Sequence, residues 1–181
     1  MFKAFKECPY EELKVIIMGQ EPYSQINVAD GIAFSCSKAT IPSEIQPCLN
    51  FILQEINKTV YNGESISNDP DLTKWSNQGV LMLNTALTAQ IGKINQHYSI
   101  WKTFLNYLFD YLTNYNTGLV YIYLGKEAQN WESSVGVNNY KFFGTHPISA
   151  IYSKSKRWDS ELIFVKTTEI VKNNHNYIIN W

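Results

Sequence analysis

Cysteine is scarce and odd in number: Cys8, Cys36 and Cys48 are the three present, and no CxxC pair occurs. That excludes a disulfide framework and a four-cysteine zinc or iron–sulfur site, and reads as three reduced packing residues in a reducing compartment. Charge is sparse as well, at 17% of residues with a formal net of −1, so no total excess announces a polyanionic partner. Any nucleic-acid contact has to come from a local patch or from the backbone. The apolar runs are all far shorter than the ~20 residues of a membrane span. The opening MFKAFKECPY has no long apolar stretch of the kind a secretory signal needs. Internal repeats and low-complexity tracts are missing too. What remains is a 181-residue chain, 45% hydrophobic, which suits one domain over residues 1–181 that is soluble, intracellular and free of membrane contact.

The hydrophobic residues are grouped rather than alternating. LKVIIMG (13–19), GVLMLNT (79–85), GLVYIYLG (118–125) and NYKFFG (139–144) are short runs rich in β-branched or aromatic residues and read as strands; the first has the pattern of a strand buried on both faces, and GVLMLNT reads as a second buried strand. Between them, Ser43 to Ile56 and residues 98–113 carry apolar side chains at helical spacing, with Ser43 a candidate N-cap. A short helix is expected over 127–135 and a last one over roughly 157–172. Residues 20–42 and 57–73 read as loop and turn. Strands alternating with helices predict an α/β fold, a three-layer α/β/α arrangement around a four-stranded parallel sheet.

Polar residues follow each strand at once: Gln20-Glu21, Asn84-Thr85, Gly125-Lys126 and Thr145-His146. In parallel sheets the carboxyl ends of the strands form the ligand crevice. Glu21, Asn84 and His146 should therefore share one crevice, a carboxylate, an amide and an imidazole suited to acid–base or electrostatic work on a polar ring. No HExxH or phosphate-cradling lysine loop is present, and Ser24 lacks the GxSxG setting of a hydrolase nucleophile.

GQEPY (19–23), GIAFS (31–35), IPS (41–43), LMLNTALT (81–88), HYSIW (97–101) and THP (145–147) resemble the ordered motifs of family 1 uracil-DNA glycosylases. Each is weak alone; their order over nearly the whole chain gives them weight, and the closing INW is similar to that family's last segment. The resemblance implies a monofunctional enzyme of base excision repair. It would flip uracil out of single- or double-stranded DNA and hydrolyse the N-glycosidic bond, without a metal or other cofactor. Glu21 would orient water and stabilise the sugar cation, and His146 would donate to the developing oxyanion of the base, a contact worth about 3–4 kcal/mol. Phe34 would stack on the ring, Asn84 would read its edge, Tyr23 would stand against ring carbon 5, and Gln20 would line the pocket. Ser43, Ser149 and Ser153 would hold phosphates, with Lys154, Lys156 and Arg157 as a local basic run. His97 belongs to a structural network in that family. By the same analogy the protein would be a monomer, of the cytoplasm or of a host cell's cytoplasm or nucleus if viral, open to a glycosylase-inhibitor protein.

The chain departs from that family in three places. Glu21 and Ser24 stand where the family pattern Gly-Gln-Asp-Pro-Tyr-His has aspartate and histidine. After His146 the family has His-Pro-Ser-Pro-Leu-Ser, whose leucine fills the gap left by the flipped base. Here an ungapped count puts the small Ala150 at that wedge, with Ile148 or Ile151 available if the loop is shorter. Several dozen residues that usually precede the first motif are also missing, which suggests a compact viral form without the N-terminal helical segment. These departures keep a rival open, a DNA-binding or processivity module on the same fold with weak or no catalysis.

Overall fold

The structure is a computed structural model that describes residues 1–64 and 69–181. Four strands, β1 (Val15–Gly19), β2 (Val80–Asn84), β3 (Val120–Leu124) and β4 (Tyr140–Gly144), form one sheet in the order β2-β1-β3-β4. All neighbouring pairs are parallel, with Gly19 opposite Asn84 and Leu124 opposite Gly144. Every residue of β1, β2 and β3 is buried, as their uninterrupted apolar composition predicts. The edge strand β4 buries only Gly144.

The helices are α1 (Lys3–Glu7), α2 (Pro47–Val60), α3 (Thr73–Ser76), α4 (Tyr98–Tyr115), α5 (Lys126–Gln129) and α6 (Ile163–His175). Because side chains alternate along a strand, β3 divides the layers. Tyr121 faces Phe109 of α4, while Leu124 lies on the side of Ile163 and Trp158, which gather around Gly144. The C-terminal Trp181 packs edge-on against Trp75 and Phe164, at 5.4 and 5.1 Å between ring centres. Its Nε1–H donates to Thr168 Oγ1 at 2.9 Å. The three cysteines are buried and unpaired. Among the described residues, no helix is long and apolar enough to cross a membrane.

Three boundaries differ from the sequence reading, the first being that the helix expected over 127–135 is the short α5 over Lys126–Gln129, followed by a separate 3₁₀ turn over Glu132–Ser134. Ser43 is not an N-cap: it lies in a 3₁₀ turn over Pro42–Glu44 and makes no capping bond. The helix starts only at Pro47, because proline fits the first helical turn and forces the residue before it, Gln46, into an extended conformation (ψ 139°). The last helix starts at Ile163 rather than near 157, since Glu161 and Leu162 adopt positive φ and break any earlier turn. The sequence reading also passed over α1. Part of the turn-rich segment 57–73, residues 65–68, lies outside the described residues.

Candidate active site

Six residues named from the sequence, Gln20, Glu21, Tyr23, Phe34, Asn84 and His146, line a single cavity of about 380 Å³ at the carboxyl edge of the sheet. Two glycines make the convergence possible. A Cβ on Gly19, at the end of β1, would sit 2.6 Å from Asn84 Oδ1 and 2.9 Å from the Phe34 ring. The bare backbone there is the room both side chains occupy. His146 leaves the edge strand β4, yet β3 lies between β4 and β1. It reaches the cavity by crossing Gly125, whose φ of +97° and whose missing Cβ (2.9 Å from His146 Cβ if present) leave space for no other residue.

Phe34 has φ +63°, a left-handed conformation costly for an aromatic residue and of the kind stored at functional sites. Its carbonyl accepts from the Tyr23 hydroxyl at 2.9 Å. The segment is also fastened from outside. Ala4 N–H donates to Gly31 O at 3.2 Å, and Lys3 Nζ reaches Asp30 at 2.7 Å and Asp71 at 3.3 Å. Asp30 in turn accepts from Ile32 N–H and from the Ser35 hydroxyl. The Phe34 and His146 rings lie 6.0 Å apart at 49°. Burial pushes the Tyr23 phenol well above its ordinary pKa, so it stays neutral and donates.

Asn84 is 9% exposed. The Gln20 carbonyl accepts from Ala86 N–H and Thr85 Oγ1, clamping the exit of β1 to that of β2. Both carboxylate oxygens of Glu21 accept from the backbone N–H of Asn95, at 3.1 and 3.0 Å. His146 Nδ1 accepts from Ile148 N–H at 3.3 Å, with the Cys48 thiol 4.0 Å away. Burial lowers the imidazole pKa. The neutral ring therefore carries its proton on Nε2, a fixed donor.

The outer residues are not gathered into the cavity. Ser43 is exposed on its turn. Ser149, Ala150, Ile151 and Ser153 lie on or just after a 3₁₀ turn over Pro147–Tyr152 that directly follows His146. Ser149 Oγ bonds Thr145 Oγ1 and Ser153 Oγ bonds the Ala150 carbonyl. The wedge expectation for Ala150 is overturned: its side chain is 1% exposed and belongs to the core. A 3₁₀ turn repeats every three residues, so Pro147 and Ala150 face inward together. Ile151 is 39% exposed and Tyr152 86%. Lys154, Lys156 and Arg157 follow at the surface. His97 does sit in a polar network, through Thr88 Oγ1 to Trp101 Nε1. Sequence reasoning missed Asn95, and it named Gly125 only as strand-end punctuation and Ile148 only as a wedge, not for the space one leaves or the N–H the other supplies. Neither a backbone N–H nor the room at a glycine has a signal in the residue types.

The carboxyl edge of this parallel sheet gathers an aromatic face, an amide, a tethered carboxylate and a neutral imidazole donor around one cavity, the place where parallel sheets bind ligands. The description "Uracil DNA glycosylase superfamily" matches residues 5–172, and the chain belongs to that family. Uracil-DNA glycosylase 1 of Listeria innocua is 34% identical over all of this chain and 80% of its own length. Uracil-DNA glycosylase of Aliarcobacter butzleri is 33% identical over all of this chain and 82% of its own. Crystalline mimivirus uracil-DNA glycosylase superposes with a TM-score of 0.85 at 24% identity, over 99% of this chain and 71% of that one. A point variant of the mimivirus protein in complex with UGI gives 0.85 at 25% identity, over 100% and 73%.

Proposed function

We propose that this protein is a uracil-DNA glycosylase that hydrolyses the N-glycosidic bond of deoxyuridine flipped out of DNA, leaving free uracil and an abasic site. The observation that supports this most is the convergence of Glu21, Asn84, His146, Phe34 and Tyr23, from separate parts of the chain, on one cavity. Uracil presents a carbonyl acceptor and a ring N–H donor side by side. The Asn84 amide donates to the first and accepts from the second, whereas cytosine presents the opposite pair, and a bidentate match is worth about 1–3 kcal/mol of discrimination. Phe34 stacks on the ring, and Tyr23 closes the space a 5-methyl group would need.

As the bond between sugar carbon 1 and ring nitrogen 1 breaks, the electron pair leaves with uracil and positive charge grows on the sugar. The His146 Nε2–H meets the oxyanion on the base; a preorganised donor of this kind is worth about 3–4 kcal/mol. Glu21 faces the cation and orients the water that completes hydrolysis. Ser43, Ser149 and Ser153 contact phosphates, and Ile151 with Tyr152 enters the gap left by the base. Lys154, Lys156 and Arg157 supply a salt-sensitive attraction that a net charge of −1 conceals. A proteinaceous inhibitor of the UGI kind would occupy the same DNA-facing edge.

The test is incubation with a single-stranded oligonucleotide containing one uracil, followed by alkali. Strand cleavage at the uracil position is expected. An intact strand from a protein that still binds the oligonucleotide would overturn catalysis and leave a DNA-binding module.

A further inference from the structure

We infer that Asn95 is a positioning residue that adapts this site to a glutamate at position 21, an inference that rests on the glycosylase reading. Glutamate has one more rotatable bond than aspartate, so from the same strand end its carboxylate sweeps a wider volume, and freezing it costs more side-chain entropy. Here a single N–H, that of Asn95, stands 3.1 and 3.0 Å from the two oxygens. A donor equidistant from both lies on the bisector of the group and fixes its place. A carboxylate has about four acceptor sites, so the outer lone pairs stay free for water.

Asn95 can aim its N–H this way because it is left-handed, with φ +63°, a conformation asparagine tolerates better than most residues. Its side chain holds the neighbouring pocket residue: Oδ1 accepts from Gln20 Nε2 at 2.9 Å and from the Tyr98 hydroxyl at 3.0 Å. One residue therefore ties Gln20 and Glu21 to the first turn of α4. Residues 90–96 are all exposed, so the tether is a surface segment, and the contacts of Asn95 run to Gln20, Glu21 and Tyr98 rather than to the core.

Single-turnover rates of uracil release from the single-stranded oligonucleotide test the role, with melting temperatures as folding controls. Asn95→Pro removes the N–H and forbids the left-handed geometry. It should slow release about 10²-fold, the cost of misplacing a reacting group by about 1 Å. Asn95→Val, strained at positive φ, moves in the same direction and serves if the proline variant does not fold. Asn95→Gly keeps both N–H and geometry. It should retain most of the rate while weakening oligonucleotide binding, because Gln20 loses its partner. Glu21→Asp should be slower than the parent, its carboxylate now short of Asn95. In a Glu21→Ala background, Asn95→Pro should cost nothing further. A parent that releases uracil beside an equally fast Asn95→Pro protein leaves the proposed function standing and overturns this role alone. An undiminished loss in the Glu21→Ala background overturns it too, since Asn95 would then act through something other than Glu21.

Discussion

Replacing Gly19 by alanine is the sharpest perturbation of this pocket, because the residue adds one carbon where two functional side chains already meet. Gly19 has no positive φ, so alanine fits the strand backbone without strain and its effect is steric alone. The new Cβ would lie 2.6 Å from Asn84 Oδ1, while ordinary contact begins at 3.4 Å, so the amide must withdraw by 0.8 Å or Phe34 must yield. Overpacking of this kind costs about 1–3 kcal/mol of stability, well inside the 5–15 kcal/mol of a typical protein. The variant should therefore fold and melt lower, by about 2–4 °C per kcal/mol at this size. The functional loss should be larger than that shift suggests. Losing the bidentate match removes about 1–3 kcal/mol, a 5–150-fold fall in kcat/KM. The assay is kcat/KM on the uracil oligonucleotide, with thermal melting in parallel. A variant that melts lower yet keeps the parental kcat/KM would refute the reasoning, for it would mean that Asn84 and Phe34 can move without loss of uracil recognition.

Other outcomes follow from the same geometry. Asn84→Asp reverses half of the amide's donor pattern and should allow cytosine excision; an active variant that still rejects cytosine would count against Asn84 as reader. Tyr23→Ala should admit thymine, and Tyr23→Phe, which strips the bond to the Phe34 carbonyl, should cost about 1 kcal/mol of stability. Tyr152→Ala should weaken action on double-stranded substrate by roughly 1–3 kcal/mol of stacking and spare single strands; equal losses on both would remove it from the gap-filling role. Burial lowers the His146 pKa, so below the ordinary histidine value near 6.5 the unfolded chain binds the proton more readily than the native one. Stability is then fully present above that value and declines as pH falls through the lowered pKa. kcat should be flat above pH ~6.5 and fall only on further acidification; a fall in kcat on raising pH through neutrality would show that an imidazolium is required.

β1, β2 and β3 were legible because burial on both faces keeps their runs apolar up to the strand ends, whereas β4, which buries only Gly144, was legible from its aromatic residues Tyr140, Phe142 and Phe143. The helix starts were less so: a helical pattern began at Ser43, yet Pro47 sets the start through its own ring geometry. The residues that line the cavity were legible because Glu21, Asn84 and His146 are distinctive residue types at or just past strand ends. Asn95 was not, since it holds Glu21 through its backbone N–H, a group every residue but proline carries. Ala150 was misplaced because counting along the chain ignores the turn. A three-residue repeat sends Ala150 inward with Pro147, and Ser149 and Tyr152 outward. His146 reaching past β3 depends on Gly125, and no pattern in the residues around Gly125 signals an imidazole arriving from twenty-one positions later.

The strand order has a consequence for biogenesis. β1 is made first but lies between β2 and β3, pairing Val15 with both Val80 and Val120. While the ribosome is still extending the chain, the apolar segment VIIMG has both flanks unsatisfied until those two partners emerge, and such waiting edges favour self-association. Slow translation or high expression temperature should therefore penalise yield of this protein more than its native stability alone would suggest.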